Sequence, residues 1–235
     1  MNTRGVAITW LGHSTFRMRS GGKTFVFDPF LEQNPKCPES EKNTKDADFI
    51  LLSHGHSDHM ADALPLAQRS GAQILAITEL AMYLNKKGAK NVVPFDKGGT
   101  VDCAGAKVTM VNALHSSSTE LNEMPLYLGD PAGLVVAFKE GLRIYFAGDT
   151  DVFGDMALIR EIYQPQVAFL PIGDHYTMGP LQAAHACRLL GVESVIPMHY
   201  GTFPMLTGTP EALQQELAKL KLGCEVAAMT PGQTL

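Results

Sequence analysis

Short runs of apolar, β-branched and aromatic residues dominate the start of the chain. Residues 7–10, 15–18 and 24–27 each form such a run, and Gly21-Gly22 lies between the second and third. These residue types suit a pleated, half-buried surface, and paired glycines supply a tight reversal, so the pattern predicts strands joined by a hairpin turn. Asp28-Pro29 ends the third strand. Residues 33–47 are polar, contain Pro35 and Pro38, and predict a surface loop. At Phe49-Ile50-Leu51-Leu52 every position is apolar, the mark of a strand buried on both faces.

Beyond residue 60 the period changes. Helical spacing is predicted for residues 62–69, a strand for 73–77, and a helix capped by Thr78 and running through Lys87, with Gly88 as its stop. Two or three strands follow, including residues 107–112. A second β-rich stretch covers residues 133–138 and 143–147 around an Glu140-Gly141 turn. Then come a helix over 155–163, a strand over 167–170, a helix over 180–190 and a strand over 194–196. Pro180 at the first helical position and Gly191 after the last fit the usual helix punctuation. A helix over 210–220 and a strand over 225–229 complete the chain. Strands lead and helices follow, twice over. With no Ser/Gly-rich linker, the expectation is one α/β domain over residues 1–235, two sheets packed together with helices outside.

Composition narrows the function classes. The chain has 235 residues, 45% of them hydrophobic and 18% charged, ample for a packed core without disulfide or metal support. A formal charge of −5 argues against a nucleic-acid binder that relies on a basic surface. Cys37, Cys103, Cys187 and Cys224 form no CxxC pair. Neither a leader-like h-region nor a membrane-length apolar run is seen, so the expected place is the cytoplasm, with no membrane partner.

The chemistry concentrates in Ser53-His54-Gly55-His56-Ser57-Asp58-His59-Met60. Three histidines and an aspartate follow directly on a buried strand. In extended chain His54 and His56 share a side, and Asp58 and His59 come in the turn after it. Imidazole and carboxylate suit zinc and other first-row divalent ions. At mildly acidic pH three crowded histidines would repel one another, so a bound cation accounts for their proximity better than packing does. His115, Asp149 and His199 stand at comparable strand ends, where α/β folds collect their sites. A carboxylate such as Asp149 can bridge two cations. With the cluster, these residues make a seven-ligand set.

His54-Gly55-His56-Ser57-Asp58-His59 matches the HxHxDH signature of the metallo-β-lactamase superfamily, and the chain resembles its small metal-dependent hydrolases of unassigned substrate. The likeness also rests on Trp10-Leu11-Gly12-His13-Ser14, Asp28-Pro29-Phe30, His115-Ser116-Ser117-Ser118, Ala147-Gly148-Asp149-Thr150, Leu170-Pro171-Ile172-Gly173-Asp174 and Ile196-Pro197-Met198-His199-Tyr200. It extends to ascorbate-6-phosphate lactonases and to phosphodiesterases that share the WxGH opening. The resemblance implies a four-layer αββα sandwich with two divalent metal ions at the edge between its sheets. His54, His56 and His115 would hold the first metal, Asp58, His59 and His199 the second, and Asp149 would bridge them. Zinc is the first expectation, with manganese, nickel or iron as alternatives.

That ligand set implies hydrolysis of a small ester, lactone, amide or phosphoester by a metal-activated hydroxide, with about one net positive charge left to stabilise the transition state. Asp58 would orient the nucleophile. His13 is a further catalytic candidate, as a support behind the metal ligands or a substrate contact, with a structural turn histidine as the alternative; His175 is a candidate proton donor or substrate contact, and Asp174 a candidate for a hydrogen bond to a ligand imidazole. His185 reads as an ordinary helix residue, and Ser116-Ser117-Ser118 as a polar loop beside the pocket. The substrate is expected to be a small molecule, an anionic one among the options, and self-association is compatible with the fold. The alternative is a non-hydrolytic iron redox or sensor protein on the same fold.

Overall fold

The structure, a computed structural model, describes all of residues 1–235. One six-stranded sheet runs in the order β1 (Ala7–Trp10), β2 (Phe16–Ser20), β3 (Lys23–Phe27), β4 (Phe49–Leu51), β5 (Gln73–Ala76) and β6 (Val92–Pro94). Its first three strands are antiparallel, and from β3 onward the pairing is parallel. The second sheet comprises β7 (Thr100–Cys103), β8 (Ala106–Asn112), β11 (Ala132–Ala137), β12 (Arg143–Phe146), β13 (Val167–Pro171), β14 (Ser194–Met198) and β15 (Glu225–Val226). It repeats the same change, antiparallel up to β12 and parallel beyond. This is the physical content of the twofold strand-then-helix pattern in the sequence, since parallel pairing needs crossovers and the helices supply them.

The sheets meet face to face through aromatic side chains. Phe16 of β2 lies edge-on to Phe169 of β13 at 4.9 Å between centroids, and Phe27 of β3 meets Phe146 of β12 at 5.0 Å. Each fully buried phenylalanine contributes roughly 1.5–3 kcal/mol. The helices α2 (Ala63–Ser70) and α3 (Thr78–Lys86) pack on the first sheet, with α1 (Ser57–Met60) a single turn before them. The second sheet is covered by α5 (Pro180–Leu190) and α6 (Pro210–Lys219), with α4 (Met156–Tyr163) packed beside α5. The architecture is the αββα sandwich.

Two local expectations are corrected and one element is added. Thr78 opens α3 rather than capping it: Ile77 holds the cap position, and the Thr78 hydroxyl donates to Asp96 at 3.0 Å. The predicted strand over 225–229 shortens to Glu225–Val226, and residues 232–235 instead pair with β1. The hairpin of β9 (Ser118–Leu121) and β10 (Met124–Tyr127) was not predicted. It pairs only with itself and has no fully buried residue, Leu126 alone resting half-buried against the core, so it carries no apolar alternation to read.

Candidate metal centre

Every candidate ligand lies just beyond the C-terminal end of a strand, and the sandwich brings those ends to one edge. His54 and His56 follow β4, Asp58 and His59 sit on α1, His115 follows β8, Asp149 follows β12 and His199 follows β14. Two glycines allow the approach. At Gly148 (φ +60°) an added Cβ would lie 2.5 Å from Ser53 Cβ, and at Gly173 it would lie 2.1 Å from the His199 carbonyl oxygen. A side chain at either would push Asp149 or His199 out of place.

Ligand atoms within 4.8 Å of one another fall into two groups around the cavity, His54, His56 and His115 in one and His13, Asp58, His59 and His199 in the other, and a third, fully buried group of Asp28, His54 and His59 links them from behind. Asp149 stands between them. Its Oδ2 is 3.9 Å from His54 Nε2 and 3.6 Å from His115 Nε2 on one side, and 3.3 Å from His59 Nε2 and 3.1 Å from His199 Nε2 on the other. Asp149 Oδ1, His59 Nε2 and His199 Nε2 are buried with no hydrogen-bond partner. Buried polar atoms are seldom left so, and several converging on one point suit a cation. The donor set of imidazoles and carboxylates therefore fits one or more divalent ions.

Electrostatics support this. Burial opposes the charge on Asp149, but His199 and His59 outweigh it and hold the carboxyl well below the usual range. Asp58 follows the same pattern, with His59 the largest favourable partner. Burial also opposes protonation of His199, yet Asp149 and Asp58 raise it to about 9. Burial pushes His54, His56 and His115 below the ordinary histidine value. The carboxylates are thus anionic at neutral pH and the three His54-side imidazoles neutral, the forms that bind cations, whereas His59 and His199 are held protonated by Asp149 and Asp58 and give up that proton when a cation takes its place.

Backing contacts orient the rings. His59 Nδ1 is 2.8 Å from Asp28 Oδ2, and Asp28 also accepts from the Ser53 hydroxyl and from Ser53 N at 2.8 Å. Ser53 Oγ lies 2.9 Å from His54 Nδ1. Asp28 therefore has the part expected of Asp174, while Asp174 is exposed and accepts from the neighbouring His175 N–H. The sequence held a signal for this: Asp28 ends β3, which runs parallel to β4, so it must emerge at the same edge as His54.

His13 is fully buried, with Nε2 3.1 Å from Asp58 Oδ2 and Nδ1 3.0 Å from Thr202 Oγ1. It does not line the cavity over the centre; it stands behind Asp58. Burial, aided by His199, lowers it to about 4. His175 lies outside the centre as well. Asp174 (φ +65°) and His175 (φ +60°) make a tight left-handed turn that leaves the His175 ring exposed and presents Tyr176 to the cavity instead. His185, half-buried on α5, pairs with Arg188. Ser117 Oγ accepts from Gly55 N at 3.1 Å, and Ser116 lines the cavity beside His56.

Comparison with known proteins gives the family and the fold. A family model described as a beta-lactamase superfamily domain matches residues 23–200. A protein of Rubrobacter xylanophilus named UPF0173 metal-dependent hydrolase is 50% identical over 233 residues, covering 98% of this chain and 96% of that one. A metal-dependent hydrolase of Methanopyrus kandleri is 43% identical over 227 residues, 97% of this chain and 98% of its own. Among solved structures, Igni18, a metallo hydrolase from Ignicoccus hospitalis, superimposes with a TM-score of 0.86 at 36% identity, covering 98% of this chain and 97% of that one.

Proposed function

Because the chain belongs to the beta-lactamase superfamily and is one of its metal-dependent hydrolases, we propose that it hydrolyses a small ester, lactone, amide or phosphoester at a dinuclear centre. The observation that carries this reading is the position of Asp149 Oδ2, within 4 Å of histidine nitrogens from both ligand groups. His54, His56 and His115 would hold one divalent ion and Asp58, His59 and His199 the other, with Asp149 shared. Zinc is the first candidate, and cytoplasmic location remains the expectation. Divalent ions, when bound, lower the pKa of water and polarise the bond to be cleaved.

The protein's own part follows from its contacts. Asp58 faces the cavity with its carboxylate held anionic. Such a group is a weak base and a strong hydrogen-bond acceptor, so its task is to orient the attacking water. His13 fixes the Asp58 carboxylate from behind and acts as a positioning residue. Asp28 fixes the ring of His59 in the same way. The decisive experiment measures metal content alongside turnover of chromogenic esters, lactones and phosphodiesters. Two equivalents of metal and hydrolysis that vanishes on chelation and returns on metal addition are expected. Redox-active iron with no hydrolysis of any substrate would overturn the reading.

A further inference from the structure

The centre opens on two hollows. One, of about 660 Å³, lies over Asp149 and His199; the other, of about 530 Å³, lies between α1 and the β9–β10 hairpin. They share His56, Ser57 and Asp58, so one molecule can reach into both. The chain contains 19 lysines and arginines, yet neither hollow has one in its lining. The first is walled on its far side by Phe30, Tyr176, Phe203 and Met205. The second carries Glu120 and Glu123 from the hairpin.

A phosphate or carboxylate remote from the scissile bond would give up part of its hydration in these hollows. It needs cationic or N–H donors in exchange, and a guanidinium or ammonium is the usual one. The walls offer no lysine or arginine, only neutral donors such as Gln33, Ser116 and Thr119, and the two glutamates repel an anion. Cations at the centre answer only the group undergoing cleavage. The apolar wall, by contrast, is complementary to an alkyl or aryl arm.

We propose that the β9–β10 hairpin, through Glu120 and Glu123, sets substrate specificity. The substrate carries its scissile group at the metal centre and an apolar arm along Phe30 and Phe203. The portion facing the hairpin is neutral or cationic, and a second anionic group there is rejected. This departs from an anionic substrate such as a phosphorylated lactone. It rests on the hydrolase reading for the place of the scissile group.

The test uses metal-loaded protein and three hydroxamic acids, whose head group chelates divalent ions without turnover: hexanohydroxamic acid and its 6-amino and 6-carboxy analogues. Isothermal titration should show the alkyl and amino compounds binding at least about tenfold more tightly than the carboxy compound. The E120K/E123K double variant should invert the order of the two charged compounds. Both glutamates are exposed on a hairpin with no fully buried residue, so this variant keeps its fold, which circular dichroism checks. A carboxy compound that binds as tightly as the amino one, or an order unchanged in the variant, overturns the specificity proposal and leaves the hydrolase reading intact. Failure of all three to bind fully metal-loaded protein removes the open centre itself, and both readings fall.

Discussion

The two ligand groups are built differently. His13, Asp58, His59 and His199 come from three separate stretches of chain, and the three imidazoles are buried. Each of two rings has a second contact on its far nitrogen, Asp28 for His59 and Thr202 for His13. In the other group only His54 is buried and backed, by Ser53, while His56 and His115 are half-buried and face the cavity. The inner group is held before anything binds. The outer one keeps freedom on the side where substrate arrives. Both halves reach the cavity, the inner one through Asp58 and His199, but the backing contacts are concentrated in the inner half.

Asp149 is common to both halves, and its removal should have the largest effect. Asp149→Ala is expected to leave metal content near zero by elemental analysis and turnover undetectable, because neither group keeps its central anion. Retention of one full equivalent would show that the inner group binds independently of Asp149. Next in size is the contrast between the halves. A chelator should strip metal in two phases, the faster from the outer group. His115→Ala should abolish the fast phase alone, leaving about one equivalent that leaves slowly. A single phase in the parent protein would break the proposed division.

A smaller effect is expected at Asp28. Asp28→Asn keeps the shape but not the charge behind His59, and metal affinity should fall by about 10- to 100-fold in a competition titration. Ser53→Ala, which backs the outer group, should cost less. The smallest effect belongs to Thr202→Val. It frees His13 Nδ1 while leaving the Asp58 contact, and a loss of at most about tenfold in kcat with little change in metal content is expected. A large loss of metal there would make His13 a ligand rather than a support for Asp58.

The difference between the halves also explains what was legible in the sequence. His54, His56, Asp58 and His59 stand together in the chain, and their spacing reports a metal site without any structure. The chain order of β4, α1 and the later strand ends placed His115, Asp149 and His199 beside them. Thr202 and Ser53 were hidden, since they are ordinary polar residues until the sheet edges converge, whereas Asp28 stood out only as part of Asp28-Pro29-Phe30 and not as a support for His59. The place of His175 was not legible either, because a strand-end histidine in sequence says nothing about the left-handed turn that leaves its ring exposed against Tyr176. The sandwich was readable because buried strands and amphipathic helices leave strong patterns. The β9–β10 hairpin was not, because an element with no fully buried residue has no pattern to leave.

The pairing of residues 232–235 with β1 reaches further than the sheet edge it covers. Leu235 exchanges hydrogen bonds with Ile8, Gly232 and Gln233 bond Trp10, and the Trp10 indole donates to the His13 carbonyl. His13 in turn holds Asp58. Residues 232–235 therefore brace Asp58 through three consecutive contacts, by way of Trp10 and His13, although they lie far from it along the chain.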